Sequence, residues 1–95
     1  MNKIIIQQQD FDLSTEMALV KNNHSDIGAV VSFVGFVRDL NNSSIQKMTL
    51  EHYPGMTEKA LKSIVDQAKK RWSIGDTTII HRVGDLNIHD QIVFV

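Results

Sequence analysis

Apolar residues fall along this chain in short runs of two different periods, separated by polar breaks. The first run, Ile4-Ile5-Ile6, is β-branched and gives way to Gln7, Gln8 and Gln9, so residues 3–8 read as an opening strand. Asp12 or Ser14 supplies an oxygen to cap a helix carrying Met17, Leu19 and Val20, which ends in the polar stretch from Lys21 to Asp26. From Ala29 to Val37 the chain is almost continuously apolar and β-branched or aromatic, the composition of a central strand covered on both faces. Arg38 ends that run, and Asp39-Leu40-Asn41-Asn42-Ser43-Ser44 is turn-forming, predicting a flexible loop between two strands.

Between Gln46 and Tyr53 the pattern alternates, with Met48, Leu50 and His52 on one face and Thr49, Glu51 and Tyr53 on the other. Pro54-Gly55 stops this strand. Met56, Ala60, Leu61, Ile64, Val65, Ala68 and Trp72 then form one helical stripe over residues 56–72, with Glu58, Lys59, Lys62, Asp66, Lys69 and Lys70 largely outside it. Thr77 to Val83 reads as a strand, Gly84 to Asp90 as a turn-rich connection, and Gln91 to Val95 as a final strand. The order β, α, β, β, α, β, β indicates a single α+β domain over residues 1–95, with a mixed or antiparallel sheet and two main helices. Because Ile92-Val93-Phe94-Val95 has no polar tail, the domain is expected to be incomplete at its C-terminal end, with neighbours for that strand coming from elsewhere.

The 95 residues are 42% hydrophobic and 22% charged, an ordinary globular composition, and the formal charge of -1 provides no general attraction to nucleic acid or an anionic membrane. Any anion site has to be local. A domain of this size buries only roughly 60–65% of its unfolded surface, so a partner or a further segment would matter to its stability. The absence of cysteine removes disulfides, thiolate metal sites and a cysteine nucleophile, and suits a reducing compartment. The apolar run at the N-terminus is too short for a signal peptide or a membrane span, so the chain reads as soluble and cytoplasmic.

His24, His52, His81 and His89 show neither HxxxH nor HExxH spacing, so no metal site is expected. His52 and His81 stand among apolar neighbours and read as hydrogen-bonded core or interface residues. Glu51 and His52 are adjacent on a strand, point to opposite faces and do not form an acid-base pair. Lys69, Lys70 and Arg71 crowd the last turn of the long helix, where cations complement its dipole; this reading is preferred to a nucleic-acid patch. No Walker loop, GxGxxG or GxSxG motif occurs, and no cofactor is implied. What remains is Gly35-Phe36-Val37-Arg38: a glycine that lets another backbone approach the strand closely, followed by a permanently charged, planar guanidinium at the mouth of a loop. By itself this motif leaves two readings open, a solvated or salt-bridged strand-end arginine and one that binds phosphate or carboxylate.

Three stretches, GAVVSFVGFVRDLNN at 28–42, LEHYPGMTEKAL at 50–61 and IIHRVGDLNIHDQIVFV at 79–95, together resemble the large, catalytic subunit family of molybdopterin synthase in content, order and spacing. The resemblance implies an α+β subunit that forms a homodimer, with a small ubiquitin-like sulfur-carrier subunit at each end of a heterotetramer. It implies conversion of cyclic pyranopterin monophosphate to molybdopterin, each dithiolene sulfur arriving on a C-terminal Gly-Gly thiocarboxylate of the small subunit. The family's phosphate-pocket motif maps onto Phe36, Val37 and Arg38. Family members often carry a polar or basic residue where Phe36 stands, so backbone or stacking contact is the role left to it. A further His-Arg pair and two lysines that complete the family's site have no counterpart within residues 1–95, so no catalytic residue is assigned. His81-Arg82 matches a scaffold strand instead, and the 95-residue chain alone is expected not to turn over.

Two other classes compete. In one, the same scaffold is a noncatalytic module that dimerises or docks a ubiquitin-like partner; in the other, an α+β domain binds RNA, which the near-neutral charge and scarce aromatics disfavour.

Overall fold

The computed structural model describes residues 2–22, 25–39 and 47–95. Strand β1 (Asn2–Gln7) is followed by helix α1 (Leu13–Asn22), β2 (Val34–Phe36), β3 (Lys47–Leu50), helix α2 (Met56–Arg71), β4 (Thr77–Arg82), β5 (Gly84–Asn87) and β6 (Gln91–Phe94). A four-stranded mixed sheet has the order β1-β4-β6-β2, and β3 pairs with β5 in a separate two-stranded ladder. The α+β class with two helices and mixed pairing is therefore observed.

The β-branched runs of β1 and β4 lie side by side in parallel, Ile4 opposite Ile79 and Ile5 opposite Ile80. β6 runs antiparallel to β4, with Phe94 opposite Ile80. These strands supply much of the core: Ile79, Ile80 and Phe94 are buried, joined by Val37, Val65, Val83 and Leu86. Phe11 tilts against Phe94 with ring centroids 6.1 Å apart, closing one end.

Asp12 caps α1, its Oδ1 accepting the Thr15 N–H at 2.8 Å, which selects between the two expected capping residues. Lys3 Nζ donates to Glu16 Oε1 at 2.9 Å and pins α1 to β1. At the start of α2 the Glu58 carboxylate reaches back to the Gly55 N–H (3.2 Å), and Lys62 pairs with Asp66 at 2.8 Å along the solvent face. The Arg71 guanidinium lies 4.6 Å from the Trp72 ring centroid, so one of the crowded terminal cations stacks on its neighbour.

Three expectations need correction. The apolar segment 29–37 is not a central strand covered on both faces: only Val34–Phe36 is strand, at the sheet's edge, and Val31, Phe33 and Phe36 are exposed. Apolar composition signals a need for cover without specifying which element provides it. The connection 84–90 contains β5, whose four residues place one side chain, Leu86, fully inside and are too polar to show alternation. Finally, the α2 stripe buries only Val65, while Met56, Ile64 and Trp72 stay exposed. The polar loop expected after Arg38 lies, except for Asp39, outside the described residues, as does His24.

Candidate functional site

The site is built on the end of β2. Val34 pairs with Phe94 and Gly35 with Val93, but Phe36 pairs with Gln91, so the register slips and leaves Ile92 as an extra residue on β6. Such a bulge bends the strand and turns the side chains that follow it. A Cβ on Gly35 would stand 3.0 Å from Val93 Cγ1, so the close approach expected of another backbone is made instead by a side chain of the partner strand, which crosses the glycine.

Val37 is held on three sides. Its side chain is buried, its N–H donates to the Asp90 carbonyl at 2.9 Å, and its carbonyl accepts the His89 N–H at 2.7 Å. Phe36 and Arg38 flank it and are both exposed. Alternation along an extended chain puts these two side chains together on the face opposite the buried Val37. A cation and an aromatic surface thus emerge next to each other from a fixed backbone, an arrangement suited to an anionic ligand with a flat ring. Among the described residues no hydrogen bond or ion pair engages the Arg38 guanidinium.

The turn gripping Val37 runs from Asn87 to Asp90. Asp90 N–H donates to the Asn87 carbonyl at 3.0 Å, and in return the Asn87 N–H donates to Asp90 Oδ2 at 2.8 Å. His89, third of the four residues, has φ 74°, a left-handed conformation that non-glycine residues seldom adopt. Sequence reasoning noted the turn chemistry here but missed its contact with Val37, because a hydrogen bond across about 50 positions leaves no local pattern.

Arg82 braces the same end of the sheet from the β4 side. Its Nε donates to the Gln8 carbonyl at 3.0 Å, one terminal nitrogen donates to the Gln91 carbonyl at 3.1 Å, and Asp10 Oδ1 lies 3.8 Å away. The Gln91 side-chain amide donates to Asp10 Oδ1 at 2.8 Å, and this bond is the main reason the Asp10 carboxyl titrates below its ordinary value. Half-buried His81 donates from Nδ1 to the Arg82 carbonyl at 2.7 Å, since a carbonyl only accepts. Both residues thus serve the scaffold. No three His, Cys, Asp or Glu side chains gather in a metal-binding group among the described residues.

A sequence model described as MoaE protein matches residues 6–95. The chain belongs to the MoaE protein family.

Among MoaE relatives, the molybdopterin synthase catalytic subunit of Ralstonia nicotianae is 54% identical over 96 residues, covering 100% of this chain and 54% of that protein. The molybdopterin synthase catalytic subunit of Escherichia coli is 50% identical over 94 residues, covering 98% of this chain and 62% of that protein. The fold agrees with solved structures of the family: the molybdopterin biosynthesis MoaE protein from Burkholderia ambifaria superposes with a TM-score of 0.90 at 51% identity, covering 99% of this chain and 61% of that one. A molybdopterin synthase structure from Staphylococcus aureus superposes with a TM-score of 0.77 at 30% identity, over 97% of this chain and 65% of that one. This chain therefore spans between about half and just under two thirds of the length of the MoaE proteins it resembles.

Proposed function

We propose that this chain is a single-domain part of the large, catalytic subunit of molybdopterin synthase, acting in molybdenum cofactor biosynthesis in the cytoplasm. The observation that carries the reading is the exposed Arg38, emerging beside Phe36 from a backbone locked at Val37, in a chain about half identical to proteins of that name. Cyclic pyranopterin monophosphate is the substrate. The Arg38 guanidinium holds its phosphate by paired, charge-assisted hydrogen bonds, and Phe36 and the Val37 backbone line the approach.

Sulfur transfer follows from position. A small ubiquitin-like subunit presents its C-terminal Gly-Gly thiocarboxylate, and the acyl-bound sulfur reaches a substrate already oriented by its phosphate. Two such deliveries make the dithiolene of molybdopterin; in each, a carbon–sulfur bond forms to the substrate, the acyl–sulfur bond is cleaved by water, and the carrier leaves with an ordinary Gly-Gly carboxylate. Residues 2–95 contribute binding and orientation to this reaction, with no residue among them assigned to acid-base or covalent work. Large subunits pair as a homodimer, giving a heterotetramer with two carriers.

Titration calorimetry with cyclic pyranopterin monophosphate tests the reading. Arg38→Ala should weaken binding by about 1.5–3 kcal/mol, the range for hydrogen bonds to a charged group. Unchanged affinity would instead favour a noncatalytic module that only docks a protein partner.

A further inference from the structure

The backbone at His89 sits in a left-handed conformation that is unfavourable for a non-glycine residue, and such a conformation persists where the surroundings enforce it. Here the enforcement is visible. Asn87 and Asp90 close the turn by reciprocal hydrogen bonds, 3.0 Å from the Asp90 N–H to the Asn87 carbonyl and 2.8 Å from the Asn87 N–H to Asp90 Oδ2. The left-handed residue between them directs its N–H at the Val37 carbonyl (2.7 Å), while the Asp90 carbonyl takes the Val37 N–H (2.9 Å). Both backbone polar groups of Val37 are therefore held by this one turn, immediately before Arg38. The turn also joins β5 to β6, so it fastens the two-stranded ladder and the edge of the main sheet to the same point.

We propose that the Asn87–Asp90 turn is a positioning device for Arg38, in which the Asp90 carboxylate keeps the turn closed and the left-handed His89 delivers the bond that orients the end of β2. The inference rests on the reading of Arg38 as the phosphate-holding residue. A guanidinium on a long side chain binds a phosphate with two parallel bonds only if its Cα direction is defined, and the exposed position of Arg38 places that task on the backbone behind it. Without the Asp90 side chain, the Asn87 N–H loses its acceptor, the turn opens more often, and Val37 loses its grip. Asp90 is thus a positioning residue acting through Arg38, with no contact to the ligand required.

The experiment is a double-mutant cycle on the full 95-residue chain, read by calorimetric titration with cyclic pyranopterin monophosphate. Asp90→Ala should weaken binding about 3- to 10-fold, the scale of one lost hydrogen bond, whereas Asp90→Asn, which retains an oxygen acceptor, should stay within about 2-fold of wild type. In an Arg38→Ala background, Asp90→Ala should cause no further loss. If Arg38→Ala has no effect, the functional reading fails and this inference falls with it. If Arg38→Ala weakens binding but Asp90→Ala does not, or if the two losses multiply, the positioning role alone is overturned. Should Asp90→Ala not fold, amide exchange in the wild-type chain decides: at tenfold excess of ligand over Kd, protection of the Val37 and His89 amides should rise by up to about 10-fold relative to Ile79 and Ile80. Equal protection with and without ligand would overturn the proposal.

Discussion

At the residue scale, two glycines show how differently the same residue type is required. Gly84 has φ 85° and faces Gln8, whose Cγ would lie 3.5 Å from an added Cβ, so space is adequate and conformation is the constraint. Gly84→Ala should lower stability by about 1–2 kcal/mol, measured by urea unfolding, because an L side chain pays the left-handed cost. Gly35 has an ordinary φ but meets Val93 Cγ1 at 3.0 Å, so its constraint is spatial. Both glycines were visible as letters; only the partner strand distinguishes their roles. The same holds for Arg38, singled out by its place after an apolar run, while Asp90 drew attention only as a turn residue and His89 only there and in the histidine spacing.

At the element scale, exposed carboxylates hold the junctions. Asp10 accepts from the Gln91 side chain and the Phe11 N–H, Asp12 caps α1 through the Thr15 N–H, and Asp85 accepts from the Thr49 hydroxyl beside Lys47. In each the carboxyl pKa is held below the ordinary 3.8, chiefly by Gln91 for Asp10, Thr15 for Asp12 and Thr49 for Asp85. A depressed folded-state pKa means these bonds contribute fully above the unfolded-state value and are lost as pH falls through the lower folded-state value. Melting temperature should therefore decline as pH is taken below about 4 in thermal scans, and Asp10→Asn, which keeps the acceptor oxygen but cannot titrate, should make that decline shallower. Asp12→Ala should lower stability and show first as lost helical signal in circular dichroism, because α1 buries no residue and leans on its cap. The helices and the strands β1 and β4 were legible because their apolar patterns are local. β5 was not, since one inward leucine in four residues carries no period.

For the whole molecule, the radius of gyration is 15.0 Å, against about 12 Å for a compact domain of this length. An open apolar groove of about 900 Å³ lies between α1, α2 and the sheet, walled by Met17, Val20, Ile64, Val65, Ile79 and Phe94 among others. Arg38 is not among its lining residues, so groove and candidate site are separate features. Both α2 residues wall the groove, yet Val65 is 4% exposed and adjacent Ile64 59%. In the isolated chain, Val65→Ala should cost about 2 kcal/mol in chemical denaturation and Ile64→Ala less than about 0.5 kcal/mol. No described helix is long and apolar enough to cross a membrane.

By itself the sequence determined the α+β class, both helices, the half-buried, hydrogen-bonded character of His81 and the chemical candidacy of Arg38, because each depends on local periodicity, capping chemistry or residue type; the scaffold role of the His81-Arg82 pair came from the resemblance. Tertiary structure alone decided that β2 is an edge strand, that α2 leaves most of its stripe uncovered, and that a turn some 50 residues downstream grips Val37. Those outcomes depend on which surfaces meet, and pairing between distant segments is set by the sum of many contacts that no short stretch of sequence contains.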